Sequence, residues 1–181
     1  MSDTVSLLSD HGVFRTEEAP YSILNRVLEY DLLPTCQRLG MGVLAFGPLA
    51  GGWLSGRYRS GRLVSASGPR SHGSHMDATS PANAAKFAAA DALGALADDS
   101  DLTLVQLATA WAAQHPAVSS VVIGPRTTGQ LEGSLAAAGV QLTMEVLDRI
   151  DAIVPPGVTL DVGDTLWAHG TRALDPAQRR R

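Results

Sequence analysis

The sequence predicts an α/β protein with a parallel sheet and helical crossovers. Three observations carry this. Two short apolar runs, Gly42–Phe46 and 118–123, read as strands. Each passes directly into a Gly-Pro turn, at Gly47-Pro48 and at Gly124-Pro125. Helical periods lie between and after them, so the order is strand, loop, helix, helix, strand, loop, helix. Such alternation needs crossover connections and so gives parallel pairing.

The elements follow in order. Residues 1–13 show no clear period. A short extended segment is expected at 13–16, before Glu17, Glu18 and Pro20. The stretch 21–30 mixes apolar and polar residues. Residues 34–40, PTCQRLG, read as a helix with Pro in its first turn and Gly just past its end. Gly42–Phe46 is a short apolar run bounded by glycines, the pattern of a strand buried on both faces. From 59 to 81 the chain is rich in Ser, Gly and Arg and has no hydrophobic period. It reads as a long loop, and loops beyond ~12–15 residues in a compact domain are usually functional or disordered. Residues 83–97 are a helix with Phe87, Leu93 and Leu96 on related faces. A second helix, 102–114, repeats Leu104, Leu107, Ala108 and Trp111 at steps of three and four, and His115-Pro116 ends it. The β-branched run 118–123 is the best strand in the sequence. A helix then runs from about Thr127 through Ala138, and a last one follows Thr143, with Val146, Leu147, Ile150 and Ile153, until Pro155-Pro156. The tail from Gly157 has little pattern. Two clear strands, three with the one near Phe14, are few for a closed parallel sheet.

The totals bound the function. A chain of 181 residues suffices for one domain with a real core. An apolar fraction of 45% and a mean hydropathy of +0.05 argue against overall disorder. The net charge of −4 argues against a nucleic-acid surface. No apolar run reaches the ~18 residues that span a bilayer. The single cysteine, Cys36, precludes an internal disulfide and suits a reducing cytoplasm. The expected location is therefore cytoplasmic, with no membrane and no nucleic-acid partner.

Both strand exits carry candidate binding features. Phe46 ends its strand and can offer a flat aromatic face. Gly47, Gly51, Gly52 and Gly56 let backbone N–H groups approach a ligand. At the second exit, Gly124 precedes a helix whose first-turn amides lack internal partners, an end that suits a phosphate. Arg126 can add a bidentate contact. The residues alone leave two plain turns, a core Phe46 and a solvated arginine as the alternative. Two such loops at the C-terminal ends of parallel strands are where barrels and open α/β sheets bind ligands.

Other groups carry less. His72 and His75 lack further ligands for a metal, so no metal site is expected. No histidine adjoins a nucleophile, so a hydrolase triad has no support. Cys36, Trp53 and Trp111 read as packed residues, and Asp161, Asp164 and the arginines at 179–181 as solvated charges.

The stretches APYSILNR at 19–26, LLPTCQRLGMGVLAFGPLAGGWLSGRY at 32–58, LTLVQLATAWAAQHPAVSSVVIGPRTTGQLEGSL at 102–135 and LDRIDAIVPPG at 147–157 together resemble the C-terminal half of an aldo-keto reductase. The resemblance covers roughly residues 14 to 160. It implies a partial (β/α)8 TIM barrel of about strands six to eight with their helices, and NADPH-dependent reduction of aldehydes and ketones by the full-length family. Residues 1–13 would then be an irregular start, 14–156 the barrel half including the loop at 59–81, and 157–181 a tail. Gly42–Phe46 would be strand seven, 118–123 strand eight, and the segment ending near Tyr21 strand six. Phe46 stands where the family places an aromatic that stacks on nicotinamide. Gly47, Pro48, Leu49, Ala50 and Gly51 match the loop passing the pyrophosphate, and Arg57 matches a basic residue on it. Gly124, Arg126, Gln130 and Ser134 match positions holding the adenosine end, with Arg126 suited to the 2′-phosphate.

The match has departures. Glu18 stands where the family usually has Gln, and a carboxylate can only accept hydrogen bonds. Gly133 replaces an acidic residue common near the adenine. The family's catalytic Asp, Tyr, Lys and His belong to its first four strands and have no counterpart here, and the only lysine is Lys86. The expectation is a truncated, catalytically incomplete relative that binds NADP(H) and pairs with a missing N-terminal half or with itself. The alternatives are a non-catalytic nucleotide- or partner-binding module and a decayed gene product.

Overall fold

A computed structural model describes residues 14–59 and 80–160. Expectations for residues 1–13, for 60–79 of the long loop and for the tail beyond 160 lie outside the described residues. These include those for His72, His75, Asp161, Asp164 and the terminal arginines.

Three strands form one sheet in sequential order, β1 (Thr16–Pro20), β2 (Gly42–Phe46) and β3 (Val118–Val122), and both pairs are parallel. Helix α1 (Leu32–Arg38) crosses from β1 to β2. Helices α2 (Ala84–Asp99) and α3 (Leu104–Gln114) lie between β2 and β3. Helices α4 (Thr128–Leu135) and α5 (Met144–Ile153) follow β3, and Ala136–Gly139 adds a 3₁₀ turn between them. The α/β class with a parallel sheet is as the sequence predicts, and the three strands with their helices make a partial barrel.

Local chemistry explains the boundaries. Pro34 stands in the first turn of α1, where its missing N–H costs nothing. Gly40, at φ +66°, takes the left-handed position after the helix, and Met41 N–H donates to Cys36 O at 2.9 Å while Gly40 N–H donates to Gln37 O at 3.2 Å. This pair of bonds satisfies the last carbonyls and turns the chain directly into β2. Thr103 and Gln106 close a reciprocal capping box at the start of α3.

The pairing register sorts the two faces of the sheet. Glu17, Val43 and Val118 share one face with Ala19, Ala45 and Val121. Val43, Ala19 and Ala45 are buried there in a core with Leu33, Cys36, Leu93, Leu107, Trp111 and Ile150 from the helices. The opposite face carries Glu18, Leu44 and Ser120, then Pro20, Phe46 and Val122, and none of these is fully buried.

Two expectations are corrected, the burial of β2 and the bounds of the first strand, while the strand expected at 118–123 forms. β2 is buried on one face only, because among the described residues helices cover one side of the sheet. β3, the best strand by composition, is half-exposed because it pairs on one side only among those residues. The extended segment expected at 13–16 runs instead over Thr16–Pro20, since lateral pairing with β2 overrides the weak strand propensity of Glu17 and Glu18. Smaller shifts are at helix ends. α1 begins at Leu32, α3 begins at Leu104, and α4 tightens into a 3₁₀ turn after Leu135 rather than running on to Ala138. Trp53, Trp111 and Cys36 are buried, as read from the sequence.

Candidate functional site

Parallel pairing places the exits of β2 and β3 side by side at one end of the sheet. Phe46 is the last residue of β2, half-buried on the open face beside Pro20 and Val122. Its carbonyl accepts from Tyr21 N–H at 3.0 Å.

The chain leaving Phe46 is tightly wound. Gly47, Ala50, Gly51, Gly52 and Gly56 all have positive φ. Ala50 is one of two non-glycine residues among the described ones in that region, which strains an L side chain. Ala50 N–H donates to Gly47 O and Gly52 N–H to Leu49 O, so backbone contact to a ligand falls to the other amides of the loop. Pro48 is buried and Leu49 half-buried, so they seat the turn rather than offer side chains. The loop is anchored by Trp53, which is fully buried and stacks on Tyr58 at 4.1 Å between ring centroids. Lys86, the one lysine of the sequence, is fully buried with its Nζ 5.2 Å from the Trp53 ring. Arg57 is exposed at the end of the turn Trp53–Arg57.

The chain leaving β3 is open. A Cβ placed on Gly124 would meet nothing within 4 Å. Thr127 caps α4 by accepting from Gln130 N–H, and Gln130 Oε1 accepts from Arg126 N–H at 2.8 Å. Gln130 and Ser134, four residues apart, share one side of α4, and Arg126 precedes its cap. Arg126 and Gln130 are exposed and Ser134 is half-buried. The structure thus brings the two predicted loops to one end of the sheet, with Arg57 and Arg126 solvent-facing. Glu18, the departure from the family pattern, is exposed on the open face one row below Phe46.

A buried polar cluster beside this rim was not singled out in the sequence. Residues 21–26 are all buried. Glu29 Oε1 accepts from Tyr21 OH at 2.7 Å and from Arg26 Nε at 2.8 Å, and its Oε2 accepts from Gly157 N–H at 3.0 Å. Arg26 also donates to Asp151 at 2.7 Å and to the Val154 carbonyl at 2.6 Å, with its guanidinium 5.0 Å from the Trp111 ring. Tyr21 stacks on Trp111 at 4.8 Å and meets His115 edge-on. Burial, then the hydrogen bond to Glu29, raise the Tyr21 hydroxyl far above its ordinary pKa, so it stays a donor. Burial opposes the charge on Arg26, but the bonds to Glu29 and Asp151 outweigh it and raise its pKa further. The only sequence signal was the i,i+3 spacing of Arg26 and Glu29, because Asp151 is 125 residues away.

A profile described as the Aldo/keto reductase family matches residues 13–155. The chain belongs to this family. An uncharacterized oxidoreductase, YrpG, from Bacillus subtilis (strain 168) is 33% identical over 143 residues, covering 78% of this chain and 41% of the relative. A probable voltage-gated potassium channel subunit beta from Arabidopsis thaliana is 41% identical over 61 residues, or 33% of this chain and 19% of the relative. Among solved structures, the glycerol dehydrogenase AKR11B4 from Gluconobacter oxydans aligns with a TM-score of 0.65 and 26% identity, over 79% of this chain and 44% of that one. The chain therefore spans less than half the length of each of these relatives. Among its described residues no group of three or more His, Cys, Asp or Glu is placed to hold a metal, and no helix is long and apolar enough to cross a membrane.

Proposed function

We propose that this chain is the C-terminal half of an aldo/keto reductase barrel, with β1, β2 and β3 as strands six, seven and eight, and that it carries part of an NADPH site. The observation that supports this most is the shared end of β2 and β3, where Phe46 pairs with Val122 and both Gly-Pro exits leave the sheet together. The residues present fit the cofactor. The open space at Gly124 admits backbone approach, and the first-turn amides of α4 suit a phosphate. Gly47, Pro48, Leu49, Ala50 and Gly51 would pass the pyrophosphate, with Arg57 adding positive charge. Gly124, Gln130 and Ser134 would hold the adenosine end, and Arg126 would pair with the 2′-phosphate through its planar fork. Phe46 would stack on the nicotinamide.

When bound, NADPH supplies the hydride for carbonyl reduction. The remaining requirement is a positioned proton donor. The acid, its lysine and its partners in this family lie on strands this chain does not carry, so carbonyl reduction belongs to the complete barrel. The buried, reduced Cys36 suits a cytoplasmic setting.

The decisive experiment is a binding titration of the 181-residue protein with NADPH and NADH. Arg126→Ala should weaken NADPH by about tenfold or more and leave NADH nearly unchanged, the loss of one charge-assisted contact. Equal weakening of both would remove the 2′-phosphate role. No binding of either would favour a second reading, a partner-binding module. The exposed Leu131 and Leu135, one turn apart on α4, favour that reading, as does the 61-residue likeness to a channel beta subunit. A homogeneous species that binds neither nucleotide would support it, and insoluble protein would point to a decayed gene product.

A further inference from the structure

Helix α2 holds the chain that leaves β2. Trp53 is fully buried and stacks on Tyr58, and Lys86, near the start of α2, places its Nζ 5.2 Å from the Trp53 ring. Arg59 follows directly and reaches the other end of the same helix. Its Nη1 and Nη2 donate to Asp98 Oδ1 and Oδ2 at 3.1 and 2.6 Å.

Gly94 explains why the pair forms there. It is the one glycine of α2, in a helix otherwise rich in alanine. After proline, glycine is the least favoured residue in a helix interior. Gly94 has no positive φ, so no turn requires it. Space does. A Cβ at Gly94 would lie 2.5 Å from Arg59 Nε and 2.9 Å from its Cδ and Cζ, and these are its three nearest atoms. The Arg59 side chain therefore crosses α2 where a methyl group would stand. Asp91, Gly94 and Asp98 recur at steps of three and four and share that face, and both carboxylates favour the charge on Arg59. A partly exposed ion pair by itself holds little, and the Asp98 side chain is 61% exposed against 24% for Arg59. The slot at Gly94 and the two-point fork are what distinguish this pair.

We propose that Gly94 and Asp98 form a receptacle for Arg59, and that Arg59 seated there is a positioning residue for the loop 47–57. The loop exit is then fixed at two points on α2, Trp53 and Arg59. Between them Gly56, at φ +81°, gives the backbone its freedom. Two fixed ends remove that freedom and so set where Arg57 stands. The consequence for Arg57 rests on the cofactor reading above, while the receptacle itself does not.

The receptacle is tested by a double-mutant cycle in urea unfolding of the full chain. Gly94→Ala alone should lower the midpoint, because the methyl displaces Arg59. In an Arg59→Ala background the same change should raise it, because the slot is vacated and alanine is the better helix former. Any other pattern of signs would overturn the receptacle. Should Gly94→Ala alone fail to fold, recovery on adding Arg59→Ala supports the proposal and continued failure overturns it.

The positioning role is read from nucleotide binding by the same four proteins. Arg59→Ala should weaken NADPH and NADH alike, by roughly two- to fivefold, the scale of one partly exposed pair. Equal loss is expected because the loop serves the pyrophosphate that the two share. Gly94→Ala keeps both charges and should weaken binding by the same factor, and the double variant no further. Unchanged affinities, or losses that multiply in the double variant, would overturn the role. A wild-type protein that binds neither nucleotide would overturn the cofactor reading and the role of Arg59 in it, and the urea cycle would still decide the receptacle.

Discussion

At the residue scale, His115 sets a pH limit. Burial first, and the nearby Arg26 charge, lower its pKa below the ordinary 6.5, against an opposing effect of Glu29. Its Nδ1 accepts from Ala117 N–H at 3.1 Å, which requires that nitrogen to be unprotonated. As the pH falls, the unfolded chain takes up this proton first. The contribution of neutral His115 is thus complete above pH 6.5 and is lost as the pH drops through 6.5 toward the folded-state pKa. Urea midpoints measured from pH 7.5 to 5 should fall with acid, and His115→Asn, which keeps an acceptor near the Nδ1 position, should flatten that slope. An unchanged slope in the variant would assign the effect to other groups. Gly52 illustrates a different residue-level constraint. Its φ of +115° meets no neighbour within 4 Å of a would-be Cβ, so Gly52→Ala tests backbone strain alone. It should cost about 1–2 kcal/mol in urea unfolding. Gly124→Ala, with equally open space and no positive φ, should stay within about 0.5 kcal/mol.

At the element scale, side-chain caps set where α3, α4 and α5 begin. Thr103 accepts from Gln106 N–H, and Thr103 N–H donates to Gln106 Oε1 at 2.8 Å. Thr103→Ala should destabilise the protein by about 1 kcal/mol, and Thr103→Ser should restore most of that. A neutral Ala variant would mean that α3 is held by packing alone. The paired arrangement at Thr127 differs in one respect. Gln130 bonds the amide of Arg126 rather than that of the cap residue, and this fixes the arginine's backbone at the helix start. Capping and side-chain placement are therefore the same device at the start of α4.

At the scale of the whole molecule, among the described residues no strand pairs with the outer side of β1 or β3, and one sheet face is only partly buried. Helices cover the other face, where the apolar core lies. With β1 to β3 as strands six to eight, the open face would look into the barrel, and Phe46, Glu18 and Ser120 would line its interior. The proton-donating groups would come from strands beyond this chain. The 181-residue protein should then show no NADPH-dependent carbonyl reduction above background. Robust turnover by this chain alone, followed as loss of NADPH absorbance, would refute that assignment of strands.

Much of this was legible from the sequence because its signals are local. The helical periods, the glycine after α1 and the two Gly-Pro strand exits each act within a few residues, and each predicted element formed within a few residues of its expected place, while the Thr103 cap falls inside the helix expected from 102. The motifs also carried the family and the candidate cofactor loops. What could not be read is what depends on contacts distant in sequence. Glu17 and Glu18 are strand residues only because β2 pairs beside them. Nothing in the apolar pattern of β3 revealed that one of its sides is open. The Tyr21–Arg26 segment reads as a mixed stretch, yet it is buried because Trp111, Asp151 and Val154 close on it from more than 80 positions away. Propensity and turn chemistry are short-range forces, so the elements and their order follow from the residues alone. Which faces are buried and which charges meet is set by the fold, because burial and ion pairing depend on neighbours brought together by folding.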